Sequence, residues 1–351
     1  MSSLRTKVSV IGHFGEGKNL LNGQTVKTII ITEELQNKLG QDQVICFDTH
    51  GGRKTLLKVP FQVVQALNKS SNVLIFPAHN GLRVYAPLLS FLRCCFKNRK
   101  IHYVVIGGWL PEFLSVRKCL TKSLKKFDGI YVETNSMKNA LEVQGFTNVF
   151  VMPNCKKLRV LSKDELVYPS SAPYKLCTFS RVMKEKGIET AINAVKQANE
   201  ILGYTAYSLD IYGQIDNSQI EWFEKLQKEF PPYVRYGGLI NFEKSVEVLK
   251  NYFALLFPTY YEGEGFAGTI IDAFASGVPV IASNWKHNCE IISEGKDGVI
   301  IPARDVCALA EKLVEIYKNS DAWNDMKSNC LNRAKDYLSV KVIQVLIEKL
   351  Y

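Results

Sequence analysis

Residues 255–292, LLFPTYYEGEGFAGTIIDAFASGVPVIASNWKHNCEII, limit what this chain can fold into more than any other stretch. The apolar run Phe253 to Pro258 predicts a buried strand. A loop bearing Gly263, Gly265 and Gly268 follows, and Thr269–Ala275, with Ile270, Ile271 and Phe274, predicts a packed helix. An acidic, glycine-spaced loop therefore feeds a helix N-terminus. Unpaired backbone N–H groups and the positive end of the helix dipole attract an anion there, such as a diphosphate. The glycines let the backbone approach it closely. Glu264 and Asp272 flank the turn, eight positions apart; carboxylates repel a phosphate but accept hydrogen bonds from sugar hydroxyls. A ligand with a diphosphate in its middle and polyols at both ends, a nucleotide-sugar, meets both demands. The plain alternative is one helix-capping acid and one solvated acid.

The stretch resembles the E-x7-E region of retaining GT-B glycosyltransferases of family GT4, in the form found in capsular and exopolysaccharide enzymes, and it continues into ASGVPVIAS and Glu290 as that family does. The resemblance implies two Rossmann-like, doubly wound α/β domains facing a cleft. It implies that Glu264 contacts the transferred sugar, that Asp272 contacts the nucleotide ribose, and that Phe266, Ala267, Gly268 and Thr269 line the donor. Asp272 departs from the usual glutamate by one methylene, which shortens its reach.

At 351 residues the chain exceeds what one core usually supports, and two domains are expected. No terminal stretch has the make-up of a leader and no apolar run approaches a membrane span, so a cytoplasmic location is expected. Nine cysteines without regular spacing suggest buried thiols of a reducing compartment and no zinc site. The net charge of +10 is uneven: residues 1–170 hold 24 Lys+Arg against 11 Asp+Glu, net +13, and the rest 20 against 23, net −3. The basic half calls for an anionic partner.

In the first half, Lys7–Gly12 predicts a strand, a glycine-rich loop runs to Gly23, and Thr25–Leu39 predicts a helix. Gly12-x4-Gly17-Lys18 nearly matches a P-loop, but position 19 is Asn where a magnesium-holding Ser or Thr belongs. The family resemblance instead places Gly23 and Gln24 near donor phosphate and acceptor; a simple connecting loop is the alternative. Strand-like runs recur at Gln43–Phe47, Asn72–Phe76, His102–Ile106, Gly129–Val132 and Asn148–Val151 with helical segments between, which predicts a parallel sheet with ligands at the carboxyl ends of its strands. His79 lies at such an end and, by the resemblance, lines the acceptor side; a structural histidine is the alternative. Where many relatives have a sugar-contacting histidine this chain has Gly107-Gly108, leaving Trp109 and Glu112 as acceptor-side candidates, Trp109 stacking on a sugar or packing in the core. Leu88–Lys100 and Leu114–Phe127 are both basic and apolar. Leu120, Leu124 and Phe127 fall on one side of the second, with Arg117, Lys118, Lys122, Lys125 and Lys126 toward the other. Such helices lie on anionic membrane surfaces or are ordinary core-facing helices with solvated lysines. No nucleic-acid-binding module accompanies the charge.

The first domain is expected over residues 1–157, a linker over 158–174, the second domain over 175–335, and a tail helix over 336–351 that packs back on the first. The second opens with a strand at Lys175–Phe179 followed by SRVMKEKG, where the resemblance makes Arg181 and Lys186 the cations that neutralise the donor phosphates. Leu239 and Ile240 fall where relatives pack the nucleobase, a core role being the alternative.

These readings predict a retaining transferase that moves a sugar from a nucleotide-sugar to a lipid-linked saccharide acceptor at the inner membrane face, in cell-surface polysaccharide assembly. No Asp-x-Asp occurs, so no metal and no cofactor is expected. Arg181, Lys186 and Glu264 would carry catalysis by positioning and electrostatics. A nucleotide-sugar epimerase of the same fold and a silent nucleotide-sugar-binding partner of another transferase are the rivals. Self-association, the sugar and the linkage stay open.

Overall fold

A computed structural model describes residues 7–15, 23–50 and 58–351. The P-loop-like Gly17, Lys18 and Asn19 lie outside these. The chain divides into two compact units, one comprising the residues up to Lys157 together with Tyr337–Tyr351, the other Leu158–Asp336.

The first unit is built on a parallel sheet of β1 (Val8–Gly12), β2 (Val44–Asp48), β3 (Asn72–Ile75), β4 (Lys100–Val104), β5 (Gly129–Val132) and β6 (Val149–Val151), in the order β2-β1-β3-β4-β5-β6. Val8 pairs with Val44 on one side and Asn72 on the other. The strands are short apolar runs because both faces are covered, as parallel sheets require. One face packs Val63, Leu82, Leu89, Leu114 and Leu124. The other packs Ile31 and Leu35 of the Gly23–Leu39 helix together with Val342, Ile343, Leu346, Ile347 and Leu350 from the two short helices Ser339–Val342 and Gln344–Leu350. Hydrogen bonds fasten that tail: Ser339 Oγ donates to Glu34 Oε1 at 2.7 Å, and Asn72 Nδ2 donates to the Leu350 carbonyl at 3.2 Å.

The second unit repeats the plan with β7 (Tyr174–Phe179), β8 (Tyr207–Tyr212), β9 (Val234–Gly238), β10 (Ala254–Phe257), β11 (Val280–Ser283) and β12 (Gly298–Ile301), ordered β12-β11-β10-β7-β8-β9, all parallel. Strand order reverses between β1 and β3 in one unit and between β7 and β10 in the other. Such switch points leave a crevice outside the strands' carboxyl ends.

Three features differ from what the sequence suggests. Residues 158–174 read as a linker because they lack periodicity, yet they belong to the second unit: Leu161 and Leu166 are buried and Leu161 N–H donates to the Ala275 carbonyl at 3.0 Å. Isolated apolar anchors hold an extended segment without leaving a pattern. The single helix expected over Leu114–Phe127 is two, Leu110–Ser115 and Lys118–Leu124, broken where Arg117 adopts φ −129°, ψ 65°. Finally, Cys155, Cys177 and Cys330 are buried, but Cys46, Cys94, Cys95, Cys119, Cys289 and Cys307 are exposed, so thiol burial is not general.

Candidate functional site

The β7/β10 switch point gathers Arg181, Lys186, Asp216 and Glu264 of the second unit. After β7 the chain passes Ser180 and Arg181, makes a short 3-10 turn at Lys184–Lys186, and reverses at Gly187 before the helix Ile188–Leu202. Gly187 has φ +74°, and a Cβ there would lie 2.1 Å from the Pro258 carbonyl oxygen. Only glycine lets this turn press against the segment leaving β10. Tyr260 N–H donates to the Glu185 carbonyl at 2.7 Å and locks the two loops together.

Their close approach brings Lys186 to Glu264, with Nζ 2.6 Å from Oε2 and the side chains only 10% and 8% exposed. Thr259 Oγ1 lies 2.9 Å from the same Oε2. Among the described residues Glu264 Oε1 takes no hydrogen bond, so this buried carboxylate presents one uncommitted acceptor. Lys186 Nζ also lies 5.1 Å from the centre of the Tyr261 ring, and the exposed Arg181 guanidinium 5.5 Å from it, with Asp216 3.4 Å from Arg181. Hydrogen bonds from Ser218 and then the charge of Arg181 hold the Asp216 carboxyl below the usual range.

The helix beyond the loop spans Gly268–Ala275, with Ala267 at its N-cap and no side chain capping its first turn. Phe266 and Ala267 are buried. Among the described residues Thr269 Oγ1 is buried without a hydrogen-bond partner, which is costly for a hydroxyl unless something else satisfies it. Asp272 is placed differently from Glu264: it is 1% exposed and Oδ1 accepts from Ser245 Oγ at 3.0 Å. Of the two acids read from the motif, the structure brings Glu264 to Lys186 and packs Asp272 against the Ser245–Leu249 helix. Leu239 is 62% exposed just past β9 and Ile240 half-buried, which removes the core reading for Leu239.

In the first unit, His79 begins the helix His79–Leu92 at the carboxyl end of β3. Its ring stacks on Trp109 with centroids 3.8 Å apart, and Phe113 meets His79 edge-on at 5.0 Å and Trp109 at 5.2 Å. Trp109 is partly buried and donates its indole N–H to the Ile106 carbonyl at 2.9 Å, so it is both a core wall and the backing of His79. Desolvation, then the charges of Arg117 and Arg83, push the His79 pKa down. Glu112 is exposed on the next helix. Gln24 Nε2 donates to the Phe76 carbonyl at 3.1 Å; Gly23 has open space where a Cβ would stand. Gly107, at the departure from the family pattern, has φ +86° and its N–H donates to Glu133 Oε2 at 3.3 Å. Glu133 in turn pairs with Lys27 at 2.6 Å, each side chain 2% exposed.

Sequence reasoning missed the partners that fix the named side chains: Thr259 and Ser245 for the two acids, Phe113, Arg83 and Arg117 around His79, and the whole Lys27–Glu133 pair. A polar residue directly after an apolar strand, as in Phe257-Pro258-Thr259, is the one available signal. Pairs separated by 78 or 106 positions leave none.

Two six-stranded parallel sheets with this order define a GT-B glycosyltransferase fold. The crystal structure of Anabaena HepE in complex with UDP and glucose shares it with a TM-score of 0.73 at 14% identity, over 98% of this chain and 99% of that one. Residues 173–319 match the sequence profile of the family described as Glycosyl transferases group 1. The GtfA subunit of the UDP-N-acetylglucosamine–peptide N-acetylglucosaminyltransferase of Streptococcus gordonii is 27% identical over 232 residues, 62% of this chain and 43% of that one. An uncharacterized 41.2 kDa protein in the cps region of Klebsiella pneumoniae is 29% identical over 201 residues, 57% of this chain and 51% of that one. The matches thus span about half the length of these relatives.

Proposed function

We propose that this protein is a retaining glycosyltransferase of the GT4 type that moves a sugar from a nucleotide-sugar, most simply a UDP-sugar, to a lipid-linked saccharide acceptor in cell-surface polysaccharide synthesis. The observation that carries the reading is the Lys186–Glu264 pair at the β7/β10 switch point, buried yet, among the described residues, with Glu264 Oε1 uncommitted, beside a helix start whose Thr269 hydroxyl lacks a partner among them. HepE, with UDP and glucose, and GtfA, named for UDP-N-acetylglucosamine, support the donor class. The cps-region relative supports the polysaccharide setting.

In this reading Glu264 Oε1 accepts from a hydroxyl of the transferred sugar. Lys186, 2.6 Å from Oε2, fixes that carboxylate's direction, so the lysine's charge serves Glu264 before it serves a phosphate. Arg181 and the N–H groups at Gly268 and Thr269 stabilise the diphosphate as it leaves. A donor phosphate oxygen takes the acceptor proton, so no protein nucleophile, metal or cofactor is required. A ribose contact to Asp272 would share a carboxylate whose Oδ1 already accepts from the Ser245 hydroxyl. Leu239 offers an exposed apolar surface for the nucleobase. His79, Trp109 and Glu112 serve the acceptor, and the protein works from the cytoplasm at the inner membrane face.

The test is nucleoside diphosphate release from a panel of UDP-, GDP-, ADP- and dTDP-sugars, with and without membrane lipid extract. Release stimulated by lipid for one donor is the expected result. Donor binding by calorimetry without release under any condition would identify a silent partner of another transferase, and sugar isomerisation without transfer an epimerase.

A further inference from the structure

We infer that the first unit carries a seat for a lipid-borne phosphate, formed by Arg83, Arg117 and Lys118 and rimmed by Val116 and Phe91. The three cations line one surface pocket of about 590 Å³ whose apolar wall includes Pro87, Val116 and Leu120. Among the described residues none of the three is paired with a carboxylate. Arg117 is pre-set for a ligand: its guanidinium lies 3.8 Å from the centre of the Phe113 ring, and Nη1 donates to the Phe113 carbonyl at 2.7 Å. Arg83 lies 5.3 Å from the same ring. A planar, pre-oriented guanidinium suits the geometry of a phosphate.

The rim shows where the phosphate comes from. Of the apolar side the sequence offers to a membrane, Leu124 and Phe127 are in the core and unavailable to it, and Leu120, also a core residue, shows only an edge to the pocket wall. The helix break at Val116–Arg117 instead turns Val116 outward, 76% exposed. Arg83, Pro87 and Phe91 follow each other at intervals of four on the His79–Leu92 helix and so share a face. Phe91, one turn past the pocket, is 74% exposed. A soluble anion gains nothing from two bare apolar side chains beside its site. A lipid phosphate at the bilayer boundary satisfies the cations while the rim enters the acyl region.

Phosphate binding at this seat follows from this geometry alone. Its meaning for the acceptor rests on the transferase reading, since Phe113 joins this pocket to His79 and Trp109. The test is flotation of the full chain with vesicles of phosphatidylcholine alone or doped with phosphatidylglycerol. We expect binding to the anionic vesicles only. The double variant Arg83→Glu, Lys118→Glu should lose at least about tenfold in affinity. Val116→Asp, which leaves all three cations in place, should lose a comparable factor. Thermal melting of the variants reports folding; all three positions are exposed. Unchanged binding by the double variant would overturn the inference. So would a Val116→Asp protein that binds as wild type while inorganic diphosphate strips it from vesicles, since that describes a soluble-anion site. Flotation needs neither nucleotide nor turnover, so a failed donor assay leaves this result standing, and failed flotation leaves UDP binding in the second unit untouched.

Discussion

Each unit buries one lysine–glutamate pair at the carboxyl edge of its sheet, both at 2.6 Å, but the two pairs are finished differently. Lys27 and Glu133 are sealed: Lys27 Nζ also reaches the Val105 carbonyl at 3.5 Å, and Glu133 Oε2 receives the Gly107 N–H. Lys186 and Glu264 share the same short contact, yet Thr259 adds its hydroxyl to the oxygen already used and leaves the other one open. A buried ion pair is weak evidence for stability by itself. Its finish separates a pair that closes a fold from a pair that waits for a ligand.

The largest effect is expected at the sealed pair. Glu133→Ala should cost about 3–5 kcal/mol of folding free energy, because Lys27 is left buried without its partner, whereas the double change Lys27→Met, Glu133→Leu should be far milder. Denaturant unfolding measures both; a single variant as stable as wild type would mean the pair is not sealed. At the open pair, Glu264→Ala should cut sugar transfer by about 10²–10³-fold while leaving nucleoside diphosphate affinity within a fewfold of wild type. Equal loss of both by kinetics and calorimetry would move the sugar contact elsewhere.

Lys327 adds a third case, a buried lysine that has backbone carbonyls of Tyr252 and Gly277 at 3.3 and 3.4 Å but, among the described residues, no carboxylate. Burial pushes its pKa down to about 8. The unfolded chain then holds this proton more tightly than the folded one. The destabilisation is complete below pH about 8 and is relieved as pH rises toward the ordinary lysine value, by about 3 kcal/mol in all. The difference in stability between wild type and Lys327→Met, followed across that window, should narrow correspondingly; a flat difference would show that Lys327 titrates normally. The smallest effect belongs to Thr259→Val. Losing one hydrogen bond to Glu264 should cost about 1 kcal/mol, close to fivefold in transfer, and an unchanged rate would remove Thr259 from the site.

Much of the fold is legible in the sequence because each strand–loop–helix unit carries its own apolar run and punctuation. Lys175–Phe179 and Gly129–Val132 were readable within a residue of the observed strands, although His102–Ile106 stands two residues late because Lys100 and Ile101 already pair with β3. The acidic loop announces Glu264 and Asp272 as a matched pair. It does not reveal that one faces Lys186 and the other Ser245, since partners 78 and 27 positions away decide it. The break at Val116 is equally silent, because the apolar spacing of Leu114–Phe127 fits one continuous helix. Chain-distant pairing and local backbone breaks are set by packing, which periodicity does not record.

The tail carries a consequence for how the molecule is made. Val342, Leu346 and Leu350 fill a face of the first sheet, yet they follow the whole of the second unit in sequence. During synthesis the second unit has all its residues first, while the earlier unit waits with the Val8, Val10 and Leu74 face covered only in part, by Ile31 and Leu35. A nascent chain halted before Ser339 therefore presents a chaperone with an apolar sheet face on its older half, and a permuted gene that places residues 337–351 ahead of β1 would let that half finish first.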